Sequence, residues 1–213
     1  MAEESGDLVT IPIDGVRLEG ELVVPGDATG LVVFAHGSGS SRKSPRNAFV
    51  AEKIRERGLG TLLFDLLTED EDRERETRFD IDLLTGRLLD ATEWLRDREE
   101  TRTMVIGYFG SSTGAAAALR AAAHLGTDVG AVVSRGGRVD LAAGELPSVT
   151  APTLFVVGGA DAQVLELNRE GLGALTCPKE LAVVEGAGHL FEGPGELEEV
   201  AELAGDWFGR HLR

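Results

Sequence analysis

Gly110-Ser111-Ser112-Thr113-Gly114 lies between a short apolar run, Met104 to Phe109, and an alanine-rich stretch, Ala115 to Ala123. This is G-x-S-x-G in a strand-turn-helix setting. Glycines on either side let a sharp turn hold the middle serine in a strained backbone conformation, where a bulky neighbour would clash with the adjoining strand and helix. Ser112 is therefore the candidate nucleophile, presented at a helix N-terminus. Ser111 lacks that placement. The same residues could serve only as a turn packed on a helix, but the flanking elements favour the chemical use.

A serine hydroxyl is a weak nucleophile near neutral pH, so it requires a base, and the base requires a group that fixes its tautomer. The chain has four histidines. His124 falls late in the helix after Ser112, and His211 lies near the C-terminal end, where surface roles suffice. His36 directly follows an apolar run. His189 sits in Glu185-Gly186-Ala187-Gly188-His189-Leu190-Phe191, a glycine-rich loop that can return a side chain to the serine, and is the candidate base. Serines on this kind of turn use the chain order Ser, Asp/Glu, His. Asp161, at the end of Val157-Gly158-Gly159-Ala160-Asp161, satisfies that order and is the candidate acid, with Asp140 as its rival and Glu166 and Glu185 as weaker ones. A simpler use of Asp161 is to cap the helix that follows.

Acyl chemistry through a serine also needs two donors for the oxyanion. The backbone N–H of Thr113 is one, and the loop His36-Gly37-Ser38-Gly39-Ser40 offers the other at Ser38 (or Gly37), where small residues leave an amide uncovered.

The elements that must position these residues are legible in the hydrophobic pattern. Leu8 to Ile13 and Val16 to Val24 flank Asp14-Gly15, a dipeptide suited to a two-residue turn, and predict an N-terminal hairpin. Runs without alternation at Leu31–Phe34, Thr61–Phe64, Met104–Phe109, Val129–Val133, Thr153–Val157 and Leu181–Val184 predict strands buried on both faces. Helical spacing falls between them, over Pro45–Arg57, Ile81–Arg98, Thr113–Leu125, Val164–Leu175 and Glu196–His211. Strands alternating with helices predict an α/β three-layer sandwich: one domain over 1–213 with a mainly parallel sheet and an antiparallel hairpin at one edge. The charged run Thr68 to Arg78 reads as a solvated loop. Ligands of such sheets bind beyond the carboxyl ends of the strands, where every candidate residue falls.

The segments His36-Gly37-Ser38-Gly39, Gly110-Ser111-Ser112-Thr113-Gly114, Gly158-Gly159-Ala160-Asp161 and Gly188-His189-Leu190-Phe191 resemble those of small α/β-hydrolases of the dienelactone-hydrolase-related group, and the resemblance spans Leu8 to Arg213. It implies an α/β-hydrolase fold with a sheet of eight strands or slightly fewer and Ser112, Asp161 and His189 as catalytic triad. Dienelactone hydrolases carry a cysteine nucleophile; here Cys177, the single cysteine, stands beside Pro178, far from the turn. The Ser134 to Thr150 segment is too short for a full cap domain, so an open site is expected.

The expectation is a cofactor-independent, metal-independent serine hydrolase acting on a carboxylic ester of a small molecule. Acyl transfer on the same triad is the first alternative, and a non-catalytic binding protein on the same fold the second. Twenty-one basic against 37 acidic residues leave −16, which disfavours nucleic acid and anionic membrane surfaces as partners. No run approaches the about 20 apolar residues of a membrane span, and an acidic N-terminus lacks the signature of a secretory signal, so a cytoplasmic location is expected. Five basic residues nevertheless cluster where loops should cover the site: Arg42, Lys43, Arg46, Arg135 and Arg138. Arg42 and Arg135 are the candidate ligands for a carboxylate or phosphate on the substrate.

Overall fold

The computed structural model describes residues 6–13 and 15–213. Eight strands form one sheet: β1 (Asp7–Ile13), β2 (Val16–Val23), β3 (Gly30–Ala35), β4 (Gly60–Phe64), β5 (Val105–Ser111), β6 (Val129–Arg135), β7 (Thr153–Gly158) and β8 (Lys179–Val184), in the spatial order β1-β2-β4-β3-β5-β6-β7-β8. β1 and β2 pair antiparallel, β2 meets β4 antiparallel, and every later pair is parallel. Every residue of β3, β4 and β7 is buried, because helices cover both sides of the sheet, whereas β1 at the edge alternates between exposed and buried positions. The unpatterned runs in the sequence are these central strands. Asp14, half of the hairpin dipeptide, lies outside the described residues, and Gly15 has φ +81°.

Two helices cover one face: α1 (Pro45–Arg55) and α7 (Glu196–His211), which bring Val50, Ile54, Val200, Trp207 and Phe208 onto Val32, Phe34, Phe109 and Val133 of the sheet. The opposite face carries α4 (Ile81–Arg96), α5 (Thr113–Leu125) and α6 (Ala162–Ala174). The alanines of α5 let that helix lie close against β5, with Ala115 to Ala118 fully buried. Beneath α4, the buried Tyr108 hydroxyl donates to Thr92 Oγ1 at 2.6 Å, which itself donates to Leu88 O. Between β6 and β7 the chain makes only short 3₁₀ turns, Val139–Ala142 and Leu146–Ser148, that pack against α5.

One expectation is corrected. The segment 68–78 is not a solvated loop but two short helices, α2 (Glu69–Arg73) and α3 (Arg75–Arg78). Thr68 Oγ1 accepts from the Glu71 N–H while the Glu71 carboxylate accepts from the Thr68 N–H, a reciprocal cap that starts α2. Glu71 also holds the buried Arg87 guanidinium at 2.9 Å, tying the segment to α4.

Candidate active site

Ser112 stands between the end of β5 and the first turn of α5 with φ +51° and ψ −119°, a conformation that L-residues rarely adopt. Its neighbours hold it there. The Ser112 N–H donates to Arg135 O at 3.2 Å, and its carbonyl accepts from the Arg138 and Ala115 amides at 3.0 and 3.1 Å. Both flanking glycines are required for packing: a Cβ on Gly110 would stand 2.4 Å from Ala115 Cα, and one on Gly114 2.1 Å from Ala35 O. Ser112 Oγ makes no hydrogen bond among the described residues, His189 Nε2 included.

His189 and Asp161 come from the loops after β8 and β7. Gly159 donates to Val184 O at 2.8 Å and Ala160 to Ala187 O at 2.9 Å, so the two loops are stitched along their backbones. Gly158 makes that approach possible, since a Cβ there would meet Ala187 O at 2.3 Å. His189 Nδ1 donates to Asp161 Oδ2 at 2.7 Å, which turns Nε2 away from the carboxylate as the nitrogen that can meet Ser112 or a substrate. The imidazole also lies against Gly136, whose hypothetical Cβ would be 3.4 Å from the ring, and Gly136 directly follows the residue whose carbonyl takes the Ser112 amide. Phe191, buried and with φ +53°, anchors the far side of the histidine loop.

The rivals are engaged elsewhere. Asp140 makes a two-point pair with Arg138 at 2.9 and 2.7 Å, and that guanidinium holds its carboxyl below the usual range. His36 is buried; its Nδ1 donates to Gly37 O and its Nε2 accepts from the Leu66 N–H at 2.9 Å, so it braces two loops. Burial pushes its pKa down and keeps it neutral. Ser111 is buried with its hydroxyl unpaired. His124 is exposed and His211 packs on Trp207.

The candidate oxyanion loop lies against the turn at Ser112: a Cβ on Gly37 would be 3.1 Å from Ser112 Cβ, and the Ser38 N–H donates to Thr113 Oγ1 at 3.0 Å. Of the candidate substrate arginines, Arg42 pairs with Glu19 and with Asp65, the latter at 3.2 Å. Arg46 reaches Glu192 at 3.6 Å. Arg135 differs. It is 9% exposed, its guanidinium lies over the Phe109 ring at 5.7 Å and makes no hydrogen bond or ion pair among the described residues; burial and then the like charge of Arg46 bring its pKa down to about 10, still cationic near neutrality. Beyond the oxyanion loop a cavity of about 350 Å³ is lined by Glu19, Asp65, Glu69 and Asp72 against Arg17 and Lys43. Carboxylates outnumber cations in that cavity, whose lining includes none of Ser112, Asp161 and His189.

Sequence reasoning missed Arg78, which sits in α3 with its Nε buried and unpaired and shares a narrow crevice with Ser38, Thr113 and Asp72. The cap pattern Thr68-x-x-Glu71 could have revealed α2, but α3, which carries Arg78, has no side-chain cap to mark it.

Residues 19–211 match the pattern of the dienelactone hydrolase family. The chain belongs to that family. A dienelactone hydrolase from Anabaena variabilis has the same structure over 98% of each chain, with 52% identity and a TM-score of 0.95. Est1E of Butyrivibrio proteoclasticus shares the fold, with a TM-score of 0.81 over 94% of this chain and 97% of that one at 17% identity. Two Mycobacterium tuberculosis proteins that carry the name phosphoribosyl transferase are 56% identical over 197 residues, which is 92% of this chain and 44% of each of theirs. The family and these neighbours make the chain a hydrolase-type α/β protein. Among the described residues no helix is long and apolar enough to cross a membrane.

Proposed function

We propose that this member of the dienelactone hydrolase family is a serine hydrolase that cleaves carboxylic esters through an acyl-enzyme. The observation that carries this is the Asp161–His189 hydrogen bond at 2.7 Å, with the His189 ring against Gly136, the residue after the one whose carbonyl holds the amide of a serine at φ +51°. Ser112 Oγ attacks the acyl carbonyl as His189 Nε2 takes its proton, and the tetrahedral oxyanion is held at Ser38 and Thr113. Collapse expels the alcohol, which receives that proton, and leaves Ser112 acylated. His189 then deprotonates water, the hydroxide attacks the acyl carbon, and the acid departs as Ser112 regains a proton. Asp161 fixes the imidazole with Nδ1–H toward itself. The protein works as a small-molecule enzyme with no cofactor or metal in this scheme.

Acyl transfer differs only in the nucleophile of the second step, an alcohol or amine in place of water. The activity named for the Mycobacterium tuberculosis relatives belongs to proteins of which this chain matches 44%, and an Asp-His pair beside a strained serine supports acyl chemistry instead. Arg42 is already paired with Glu19 and Asp65, whereas the Arg135 guanidinium has no partner among the described residues, which favours Arg135 for an anionic group.

A fluorophosphonate probe provides the test. Ser112 becomes phosphonylated in the native chain, and Ser112→Ala abolishes both labelling and turnover of p-nitrophenyl esters. Labelling that persists in Ser112→Ala would refute this nucleophile, and an unlabelled native chain would favour the binding-protein reading.

A further inference from the structure

Thr113 is the first residue of α5 and is 1% exposed as a residue. A hydroxyl has one proton to donate and two lone pairs to accept with. The Ser38 N–H occupies one lone pair at 3.0 Å, and among the described residues nothing accepts the hydroxyl proton. Other helical threonines of this chain dispose of theirs differently: Thr85 and Thr92, inside α4, donate to the carbonyls four residues back, Ile81 O at 2.6 Å and Leu88 O at 2.8 Å. Thr113 cannot do so, because four residues back lies β5, whose carbonyls belong to the sheet. A buried hydroxyl is thus positioned by the oxyanion loop with its donor uncommitted, on the residue whose own N–H is one of the unpaired amides of the α5 first turn.

We propose that the Thr113 hydroxyl is itself an oxyanion donor, so that Thr113 presents both its N–H and its O–H to the tetrahedral intermediate while the Ser38 amide holds the hydroxyl in place. The inference rests on the serine-hydrolase reading and changes the part Ser38 plays in it. A chain from Ser38 N–H to Thr113 Oγ–H to the substrate oxygen polarises along its length, so the hydroxyl donates more strongly than it would alone. No charge is created or lost: the hydroxyl proton stays on Thr113 and the oxyanion gains a partner only once it forms. Such donors act on the transition state more than on the bound ester.

The test compares Thr113→Val, which keeps the shape and the N–H but removes the hydroxyl, with Thr113→Ser, which keeps the hydroxyl. Three quantities are read on the full chain: the rate of Ser112 phosphonylation by a fluorophosphonate, kcat and KM for p-nitrophenyl acetate, and affinity for a trifluoromethyl ketone that forms a tetrahedral adduct. Thr113→Val should lower phosphonylation and kcat by about 10²-fold, with ketone affinity falling in parallel and KM little changed. Thr113→Ser should restore most of each. Native rates in Thr113→Val, or faster ones, would overturn the proposal and return the donor role to the freed Ser38 amide, with the serine-hydrolase reading intact. Equal losses in both variants, or a loss confined to KM, would reduce Thr113 to packing. A native chain that fails to label at all would bring down both readings together.

Discussion

Two aspartates followed strands between the serine and the histidine, and the sequence favoured Asp161 on position alone. Their partners separate them physically. Asp161 Oδ2 accepts from His189 Nδ1, while both oxygens of Asp140 are taken by Arg138. Asp161→Asn should therefore lower kcat of ester hydrolysis by about four orders of magnitude at neutral pH, because an amide can hold the ring in the wrong tautomer. Asp140→Asn should cost less than about tenfold, since it removes a partly exposed ion pair worth little. Steady-state kinetics of both variants decide the matter, and an exchange of the two results would move the acid to the loop after β6. Residue types and their order were readable in the chain because each chemical group had to follow a strand. The state of each arginine was not, since a guanidinium's partner depends on loops that meet only in three dimensions: Arg42 finds Glu19 of β2 and Asp65 after β4.

At the scale of elements, the central strands announced themselves by apolar runs without alternation, and the helices by their spacing. The α2–α3 segment did not, because its stability comes from a cap and from one ion pair to a buried arginine rather than from an apolar stripe. Glycines join the elements into a site. Gly158 lets the aspartate loop touch the histidine loop, and an added Cβ would press on Ala187 O at 2.3 Å and Gly188 O at 2.6 Å, backbone that can retreat only by moving His189. Gly158→Ala should cost about 1–3 kcal/mol, as overpacking does, and lower Tm by about 2–4 °C for each kcal/mol. Activity should fall much further than stability. Gly86→Ala supplies the contrast: it lies inside α4 with nothing within 4 Å of a Cβ, and better helix propensity there should raise stability by about 0.5–1 kcal/mol. Calorimetry beside ester turnover checks both, and full activity in Gly158→Ala would show that the two loops need not be so close.

Over the whole molecule, a net charge of −16 creates a field that repels anionic substrates before any local contact can act. The sequence suggested a basic mouth, for which preference for an acid-bearing ester would fade as salt is added. With Arg42 neutralised by Glu19 and Asp65, Arg138 by Asp140, and four carboxylates lining the cavity beside the oxyanion loop, the expected sign reverses. Long-range repulsion is screened within about 10 Å at 0.1 M salt, whereas a guanidinium as buried as Arg135 is screened far less. For an ester with a terminal carboxylate, kcat/KM should therefore rise severalfold as salt increases from about 10 to 150 mM, while the neutral analogue stays flat. Arg135→Met should lower the anionic ester's kcat/KM by about tenfold at every salt concentration and leave the neutral ester nearly unchanged, the size expected for losing one charge-assisted hydrogen bond. An anionic rate that falls with salt would reinstate the basic mouth. Equal losses for the two esters in Arg135→Met would mean that this guanidinium braces the strand behind the elbow and never meets the substrate.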